Sequence, residues 1–202
     1  NAQVESYINN IAARATGHIV AIKFEANQFV HQGDTLVILD DEEYQIKVKQ
    51  AEADLAVAEG NLHSLEQAVI TSISNQAATK AKLEGDKASL EKAQKDYQRF
   101  KKMYADSAVT LNQYDQSLAK LQSSEAYIIA GENEVKASSS VAQQSKTNIE
   151  ASQATVARKQ ADLDAAKLQL SYTTITAPID GFVGERTLSV GDFVSTNQVV
   201  AS

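Results

Sequence analysis

Apolar side chains recur every seven residues through the middle of the chain, between residues 42 and 172. A strict seven-residue spacing keeps one edge of an α-helix apolar, and it is typical of helices that wind around each other in a left-handed supercoil. Seventeen of the eighteen repeating positions are apolar or aromatic, and Gln76 is the exception. The positions are Val48, Leu55, Leu62, Val69, Gln76, Leu83, Leu90, Tyr97 and Tyr104, followed by Tyr114, Leu121, Ile128, Val135, Ala142, Ile149, Val156, Leu163 and Leu170.

The two series of positions fit each other when the chain folds back at residue 109. Positions whose numbers add up to 218 then lie side by side, so that Tyr104 faces Tyr114. This predicts an antiparallel two-helix coiled-coil hairpin over 42–172, with its tip at about 104–111. Each arm has about 60 residues, which corresponds to about 90 Å of helix.

Polar residues at both expected helix starts support this folding. Residues 40–43 have the sequence DDEE, which places acceptors and negative charge where four backbone N–H groups lack partners. Residues 110–113 have the sequence TLNQ, a capping box that would open the second helix.

The middle of each arm is richer in Ser, Asn and Gln, over 71–80 and 138–147. Folding the chain back at residue 109 places these segments opposite each other. Two hypotheses follow: a locally weak zone, or a face that contacts a neighbouring hairpin. Simple tolerance of small polar side chains in a solvated coil is a third explanation.

The two ends of the chain have short β-branched and apolar runs separated by turn residues, which is typical of strands. They resemble copies of each other at a constant offset of 164, since Gly17 falls on Gly181 and Phe29 on Phe193. We predict that 13–41 and 173–202 are half-domains that pair into one small β-sandwich, because each is too short to close a core alone. The alternative is two unrelated hairpins of similar composition.

These patterns together predict an α+β fold in which the helical hairpin is inserted between the two halves of the sandwich. The composition agrees with long helices, because the 202 residues include only one Pro. They include no Cys, so this sequence has no disulfide and no thiolate metal site. A net charge of -7 without a basic domain argues against nucleic-acid binding. No apolar run approaches the ~20 residues that a membrane span needs.

Residues that could perform catalysis or hold a metal are scarce. His18, His31 and His63 are too far apart in sequence to form a local ligand motif. No H-E-x-x-H, G-x-S-x-G or P-loop string occurs. The acidic run at 40–43 lacks the ligand alternation and the central Gly of a calcium loop, so a helix cap is the preferred interpretation. We therefore predict that the chain is not an enzyme and holds no metal.

Two stretches resemble the split lipoyl-like domain of HlyD-type membrane fusion proteins. ARATGHIVAIKFEANQFVHQGDTLVILD at 13–40 is similar to the first half, and LSYTTITAPIDGFVGERTLSVGDFV at 170–194 is similar to the second. The string L-x-Y-T-x-I-x-A-P-x-x-G at 170–181 is the most specific part. The long hairpin between the halves makes the chain similar to the EmrA-type adaptors.

The resemblance implies a periplasmic adaptor of a tripartite efflux or secretion system in a Gram-negative bacterium. Such adaptors bridge an inner-membrane transporter, with the major-facilitator class as one candidate, and an outer-membrane channel of the TolC type, for export of drugs or other cargo. Trimers or hexamers are also implied. An inner-membrane anchor would lie outside this chain, and residues 1–12 would supply a strand to an incomplete β-barrel domain.

The resemblance also allows a statement about cofactors. Lipoyl and biotinyl domains carry a modified Lys at the turn between their halves. In this chain the hairpin enters at that turn, where 39–45 has the sequence LDDEEYQ with no lysine. We therefore expect no lipoyl or biotinyl group and no other cofactor.

Relatives with shorter hairpins carry a tip motif of Arg, then Leu four residues later, then Ser seven residues further on, which engages the outer-membrane channel. Arg99, Met103 and Thr110 have this spacing, with Met in place of Leu and Thr in place of Ser. The resemblance therefore implies that these three residues contact the channel. Neighbouring lysines add positive charge that can steer the tip toward an acidic partner. For Thr110, a helix N-cap is a sufficient alternative explanation.

A different class of function also fits the periodicity. A stand-alone coiled-coil scaffold protein would show the same two apolar series but would work without a transporter or a channel. The full-length gene and its neighbours would separate the two interpretations.

Overall fold

The structure is a computed structural model that describes residues 9–185 and 188–201. It contains two compact units, which we describe separately. The first comprises residues 1–58 and 155–202, and the second comprises residues 59–154. Each unit contains a part of two long helices, α1 (Glu42–Ala105) and α2 (Leu111–Ser171).

Short antiparallel strands form the rest of the first unit. Their bounds are β1 (Ile11–Ala12), β2 (Gly17–Ile22), β3 (Phe29–Val30), β4 (Thr35–Leu39), β5 (Thr174–Thr176), β6 (Gly181–Phe182), β7 (Phe193–Val194) and β8 (Val199–Ala201). Within the described residues, one sheet has the strand order β5-β4-β2-β7, and two ribbons pair β1 with β8 and β3 with β6. Strands from both ends of the chain therefore share one sheet, with β4 and β2 from the first end in the middle and β5 and β7 from the second end at its edges.

The strand pairings follow the predicted internal repeat. Gly17 pairs with Val194 where β2 meets β7. The residues at an offset of 164, Gly181 and Val30, pair in the same way where β6 meets β3. The β4·β5 and β8·β1 pairings are equivalent by the same rule. The two ends are thus structural copies, and the alternative of two unrelated hairpins is wrong.

Backbone hydrogen bonds outside the strands repeat with the same offset. The Ile19 N–H donates to the Asp192 carbonyl at 2.9 Å. Its counterpart is the Val183 N–H, which donates to the Gln28 carbonyl at 2.9 Å. Further equivalent bonds run from Ala13 to Gln198 and from Ala177 to Asp34, and from Gly33 to Ala177 and from Asn197 to Ala13. The repeat therefore extends to the loops.

Two turns in each half need a left-handed backbone, and the residue types reflect this requirement. Asn27 has φ 63° and its counterpart Gly191 has φ 94°, while Gly33 has φ 93° and its counterpart Asn197 has φ 69°. Gly lacks the Cβ that makes this conformation unfavourable, and Asn tolerates it better than most residues. Each half thus uses one Gly and one Asn, in exchanged order.

The core of the sandwich takes equivalent side chains from both halves. Ile19 and Val183 are both buried, as are Leu36 and Val200. Burying an aliphatic side chain of this size contributes about 1.5–3 kcal/mol. The larger set of core residues also includes Ala13, Phe24, Val30, Val37, Leu39, Ile175, Ala177, Val194 and Ala201.

Polar contacts join the sandwich to the beginning of α1 within the first unit. The Glu42 N–H donates to Asp40 Oδ1 at 3.1 Å, so the acidic run acts as a helix cap. The Tyr44 hydroxyl donates to the Thr16 carbonyl at 3.0 Å. These contacts fix the direction in which the chain leaves β4.

The predicted seven-residue series forms the inner stripe of both helices. Its positions are buried or half-buried, with the exception of Tyr104, which is 42% exposed. The polar position Gln76 is half-buried like its apolar neighbours in the series. The apolar periodicity therefore identified the face that α1 and α2 bury.

A second stripe of small residues lies three positions after the first on α2. Gly131 belongs to this stripe, and a Cβ added to it would lie 3.0 Å from Leu83 Cδ1 of α1. Small side chains here allow the two helices of the second unit to approach closely. The members in this unit are Ser117, Ser124, Gly131, Ser138, Ser145 and Ser152.

Contacts across the helices confirm their antiparallel arrangement. In the second unit, Thr79 Oγ1 lies 3.0 Å from Ser138 Oγ, and Lys82 Nζ lies 2.8 Å from Glu134 Oε2. In the first unit, Lys159 Nζ lies 2.7 Å from Asp54 Oδ2. The residue numbers in each pair add up to within five of the predicted 218, and the predicted fold class is confirmed.

Two expectations concern segments that the structure leaves undecided. Residues 1–8 lie outside the described residues, so the assignment of 1–12 to a barrel strand stays a prediction. Within that range, β1 pairs with β8. The weak-zone and contact-face hypotheses for 71–80 and 138–147 also stay hypotheses.

Candidate functional site: the hairpin tip

The end of α1 has the geometry of a Schellman motif. The Ala108 N–H donates to the Met103 carbonyl at 2.8 Å, and the Ser107 N–H donates to the Tyr104 carbonyl at 3.0 Å. These two bonds satisfy carbonyls that a helix end leaves without partners. Ser107 adopts the left-handed conformation that the motif requires, with φ 54°. The turn is therefore closed by backbone bonds, although its left-handed position lacks the usual Gly.

Thr110 closes the beginning of α2 as a capping box. The Gln113 N–H donates to Thr110 Oγ1 at 3.3 Å, and the Thr110 N–H donates to Gln113 Oε1 at 3.0 Å. This confirms the predicted cap. The Thr110 hydroxyl also donates to Gln113 Oε1 at 3.2 Å, so its hydrogen-bonding capacity is largely used within the helix start.

Arg99 projects from α1 about one turn before Met103. Its Nη2 donates to Asp96 Oδ1 at 2.6 Å, and its guanidinium carbon lies 5.8 Å from the centre of the Phe100 ring. The side chain is nevertheless 65% exposed. An exposed ion pair of this kind is weak in water, so the guanidinium can exchange Asp96 for a carboxylate of another molecule.

Arg99 and Met103 line the same groove, which has a volume of about 880 Å³. Thr110 does not line it. The structure therefore brings two of the three predicted tip residues together, while the third occupies the cap. Lys95, one of the neighbouring lysines that the sequence analysis associates with the tip, also lines the groove. Other lining residues, which sequence reasoning had not assigned to a site, include Gln98, Tyr97, Leu121 and Glu125. The sequence contained a signal for Leu121, because the residue numbers of Tyr97 and Leu121 add up to 218. The predicted hairpin therefore places these two residues side by side.

Three tyrosines contact one another across the hairpin, and one of them, Tyr97, also lines this groove. The rings of Tyr104 and Tyr114 are nearly parallel, with centres 5.2 Å apart and an interplanar angle of 18°. The hydroxyls of Tyr97 and Tyr114 lie 3.2 Å apart. This hydrogen bond, followed by partial burial, raises the pKa of Tyr114. The stack ties the last turn of α1 to the first turns of α2 and confirms the predicted pairing of Tyr104 with Tyr114.

Lysine and carboxylate side chains form local pairs on the same part of α1. Lys95 Nζ donates to Glu91 Oε1 at 2.5 Å, and this bond lowers the pKa of Glu91. Lys101 Nζ lies 5.9 Å from the centre of the Tyr97 ring. Among the described residues, neither Lys101 nor Lys102 forms an ion pair.

Neither a metal-binding cluster nor a membrane-spanning helix occurs in the part of the chain that the structure describes. No group of three or more His, Asp or Glu side chains could hold a metal ion. No helix in that part combines the length and the apolar character needed to cross a bilayer.

Comparison with known proteins gives a consistent picture. Residues 8–201 match the family described as RND MFP, barrel-sandwich hybrid domain. The chain is 25% identical over 186 residues to the multidrug resistance protein MdtA of Photorhabdus laumondii subsp. laumondii, a match that covers 92% of this chain and 32% of that protein. The chain thus spans about a third of the length of the curated relatives it matches.

Two solved structures share the fold. MacA from Actinobacillus actinomycetemcomitans matches with a TM-score of 0.59 and 22% identity, over 95% of this chain and 47% of that chain. The periplasmic adaptor protein EmrA matches with a TM-score of 0.53 and 17% identity, over 96% of this chain and 70% of that chain. Since the family match takes in nearly the whole hairpin-and-sandwich sequence, the chain belongs to the RND-type membrane fusion proteins with a barrel-sandwich hybrid domain.

Proposed function

We propose that this protein is the periplasmic adaptor of a tripartite efflux system and bridges an inner-membrane transporter and an outer-membrane channel. The observation that carries the proposal is the helical hairpin inserted between the two halves of one sandwich, in a chain that matches the membrane fusion family over residues 8–201. The relatives named multidrug resistance protein support drugs as the exported cargo.

The remaining parts of the proposal concern location and assembly. The adaptor stands in the periplasm of a Gram-negative bacterium, is anchored to the inner membrane outside this chain, and assembles as a trimer or hexamer. The RND designation of the family supports an RND-type transporter over the major-facilitator candidate. The adaptor performs no chemistry on its cargo.

Deleting the gene tests the proposal. The deletion strain is expected to become more susceptible to several drugs, and a plasmid copy of the gene is expected to restore resistance. A plasmid copy that lacks 59–154 should produce the protein without restoring resistance. Unchanged susceptibility of the deletion strain, with no other adaptor compensating, would support a stand-alone scaffold protein instead.

We also infer that Arg99, Met103 and Thr110 lie at the contact with the channel. The exposure of Arg99 and its shared groove with Met103 support this role. Cysteines placed at Met103 and at Ala108 should form crosslinks to the channel in cells, and the 202 residues contain no other Cys that would add background. A cysteine at the exposed Ser74 is the matched control and should form none.

Charge reversal gives an independent test of the tip. Arg99→Asp should lower drug resistance at equal expression, and unchanged resistance would contradict the contact. For Thr110, the informative pair is Ser and Asn. Thr110→Ser keeps the hydroxyl that the related motif carries, whereas Thr110→Asn keeps a helix cap but replaces the hydroxyl. A loss of resistance with Thr110→Asn but not with Thr110→Ser would support channel contact, and unchanged resistance with both would contradict it.

A further inference from the structure

A cavity at the open edge of the sandwich combines apolar lining residues with one positive charge. It has a volume of about 710 Å³, is lined by residues of β1 and β5 and of the segments beside them, and lies entirely within the first unit. We propose that it binds an amphipathic organic anion of drug size, with a carboxylate or sulfonate group at one end and an apolar body at the other. The inference rests on the proposed function in one respect, because it assigns such anions to the exported cargo.

The internal repeat places equivalent positions of the two halves around this cavity. The pairs related by the offset of 164 that line it are Asn10 with Thr174, Ile11 with Ile175, Ala12 with Thr176, and Arg14 with Pro178. The copied fold therefore forms the cavity, while the side chains of the two halves give it different chemistry. In the last pair, Arg14 supplies a charge where Pro178 supplies an apolar ring. A ligand with one charged end and one apolar end matches this difference.

The charge at the cavity has no acidic partner in the described part of the chain. Arg14 is the only charged residue among those that line the cavity. Its guanidinium carbon lies 4.0 Å from the centre of the Tyr172 ring, a contact that restrains the side chain. Within residues 9–185 and 188–201, Arg14 forms no ion pair. A restrained guanidinium without a carboxylate can donate two parallel hydrogen bonds to an incoming anion.

The open edge of β5 supplies further hydrogen-bonding groups. β5 is an edge strand of the four-stranded sheet. The Ala177 N–H donates to the Asp34 carbonyl at 2.9 Å, so Ala177 directs its backbone groups toward the β4 side. Because alternate residues of an antiparallel strand direct these groups to opposite sides, Thr174 and Thr176 direct theirs to the open edge. Both residues line the cavity, so these backbone groups can bind polar substituents of the ligand.

The rest of the lining suits an apolar body and excludes other ligand classes. Ile11 and Tyr172 pack against the core and are half-buried, and the exposed Pro178 ring lies on the same cavity. The volume is within the range of small-molecule sites, roughly 300–1,000 Å³. A cationic ligand would bring like charge to Arg14, and a fully apolar ligand would desolvate the guanidinium without compensation. An amphipathic anion avoids both costs.

Two dyes that differ by one sulfonate group test the requirement for negative charge. Anilinonaphthalene sulfonate has this group, and N-phenylnaphthylamine has the same rings without it. In fluorescence titrations of the full-length protein, Arg14→Gln should weaken binding of the sulfonate dye about tenfold and leave binding of the uncharged dye unchanged. Arg158→Gln removes an exposed Arg of the same unit outside the cavity and is the matched control. Equal effects of the two variants, or equal effects of Arg14→Gln on both dyes, would overturn the inference.

Filling the cavity shows where the dyes bind. Thr176 is exposed and lines the cavity, so Thr176→Trp should place a large ring in it and weaken binding of both dyes. Val20→Trp adds the same ring at an exposed strand position outside the cavity and should have no effect. Circular dichroism melting should confirm that both variants are folded. Unchanged dye binding in folded Thr176→Trp would place the dyes elsewhere and refute the site.

Resistance measurements test whether the anion belongs to the cargo. In cells, full-length Arg14→Gln should lower resistance to aromatic carboxylic acids and preserve resistance to cationic dyes. Unchanged resistance to both classes, in a strain that the gene deletion sensitises, would refute the cargo assignment and indicate another source of the anion, such as a membrane lipid. If the deletion itself leaves resistance unchanged, the proposed function and the cargo assignment are refuted together, whereas dye binding that depends on Arg14 would still support the anion site.

Discussion

Single residues at the turns show where the backbone conformation restricts the sequence. Asn27 and Asn197 occupy left-handed positions that Asn tolerates, whereas Ser107 occupies one that Ser does not favour. The Ser107 position is nevertheless held by the two backbone bonds of the Schellman motif. The tip turn therefore contains a local conformational strain that the sandwich turns largely avoid.

Replacing Ser107 with Gly should relieve this strain. We expect Ser107→Gly to stabilise the folded protein by up to about 1 kcal/mol, because Gly adopts positive φ without a Cβ clash. Chemical denaturation monitored by circular dichroism measures the change. Ala108→Gly is the control, since Ala108 does not have a positive φ, and it should not stabilise. Equal effects of the two variants would contradict the explanation.

The hydroxyl pair at the tip makes a prediction about titration. Hydrogen bonding to Tyr97 raises the pKa of Tyr114 in the folded protein. The contribution of the Tyr114 hydroxyl to folding stability is therefore fully present below the ordinary tyrosine pKa. It is lost as the pH rises through the pKa that Tyr114 has in the folded protein. Tyr97→Phe should lower the pKa of Tyr114 toward its ordinary value.

Carbon NMR of isotope-labelled tyrosine in the variant and the wild type measures this pKa directly. Tyr104→Phe is the control, because it keeps the stacked ring and leaves the hydroxyl of Tyr97 in place. An unchanged Tyr114 pKa in Tyr97→Phe would show that the hydrogen bond is not its main cause.

At the scale of elements, layers of different chemistry specify how α1 and α2 align. Apolar layers supply burial but tolerate slippage by one repeat, because the same kind of side chain recurs every seven residues. Pairs such as Lys82–Glu134 and Thr79–Ser138 occur at particular positions and are lost on slippage. The polar contacts therefore add register specificity to the apolar stripe.

Engineered disulfides can test this register in the second unit. Ser72 Oγ and Ser145 Oγ lie 3.3 Å apart, so the double variant Ser72→Cys with Ser145→Cys should oxidise readily to an intramolecular disulfide. Ser72→Cys with Ser138→Cys is the control, because Ser138 lies seven residues from Ser145, which corresponds to about 10 Å along the helix.

Mobility on non-reducing gels and thiol counting distinguish the two variants. The first pair should also raise the free energy of unfolding by about 2–4 kcal/mol, since the bridge restricts the unfolded chain. Equal oxidation of both pairs would indicate that the helices slide past each other.

At the scale of the whole molecule, sequence reasoning succeeded where a pattern is periodic. The seven-residue series predicted the inner stripe of the hairpin, and the offset of 164 predicted the copied halves, including the equivalence of Gly17 and Gly181. Both patterns arise because repeated geometry imposes repeated side-chain requirements. The helix caps at Asp40 and Thr110 could also be predicted from the sequence, since each cap depends only on residues that are close in the chain.

Other features could not be predicted because they depend on side chains from distant parts of the chain. The groove combines Arg99 with Leu121 and Glu125 of the other helix, and its volume depends on rotamers as well as register. The stripe that contains Gly131 was missed because a search for apolar residues passes over Ser and Gly. Its importance becomes visible only through the close approach of Leu83.

The copied halves predict parallel responses to mutation. Gly33 and Gly191 both have positive φ, and a Cβ at either position would have nothing within 4 Å. Substitution by Val should therefore destabilise each by about 1–2 kcal/mol through backbone conformation alone. Substitution by Asn at either position should lower the free energy of unfolding clearly less than substitution by Val, since Asn occupies the counterpart turns. Urea denaturation of the four variants tests this, and Val tolerated as well as Asn would contradict it.

The layer that pairs Ser72 with Ser145 in the second unit differs from the neighbouring apolar layers in how much its separation would destabilise the protein. Ser72 Oγ also donates to the Ala68 carbonyl at 2.9 Å, and Ser145 Oγ to the Val141 carbonyl at 3.0 Å, each within its own helix. Separation would leave these hydroxyls satisfied, whereas it would expose the buried Val69 and Leu83 to water. Transient local separation of α1 and α2 should therefore begin at the hydroxyl layers, while the apolar layers on either side keep the two helices in contact.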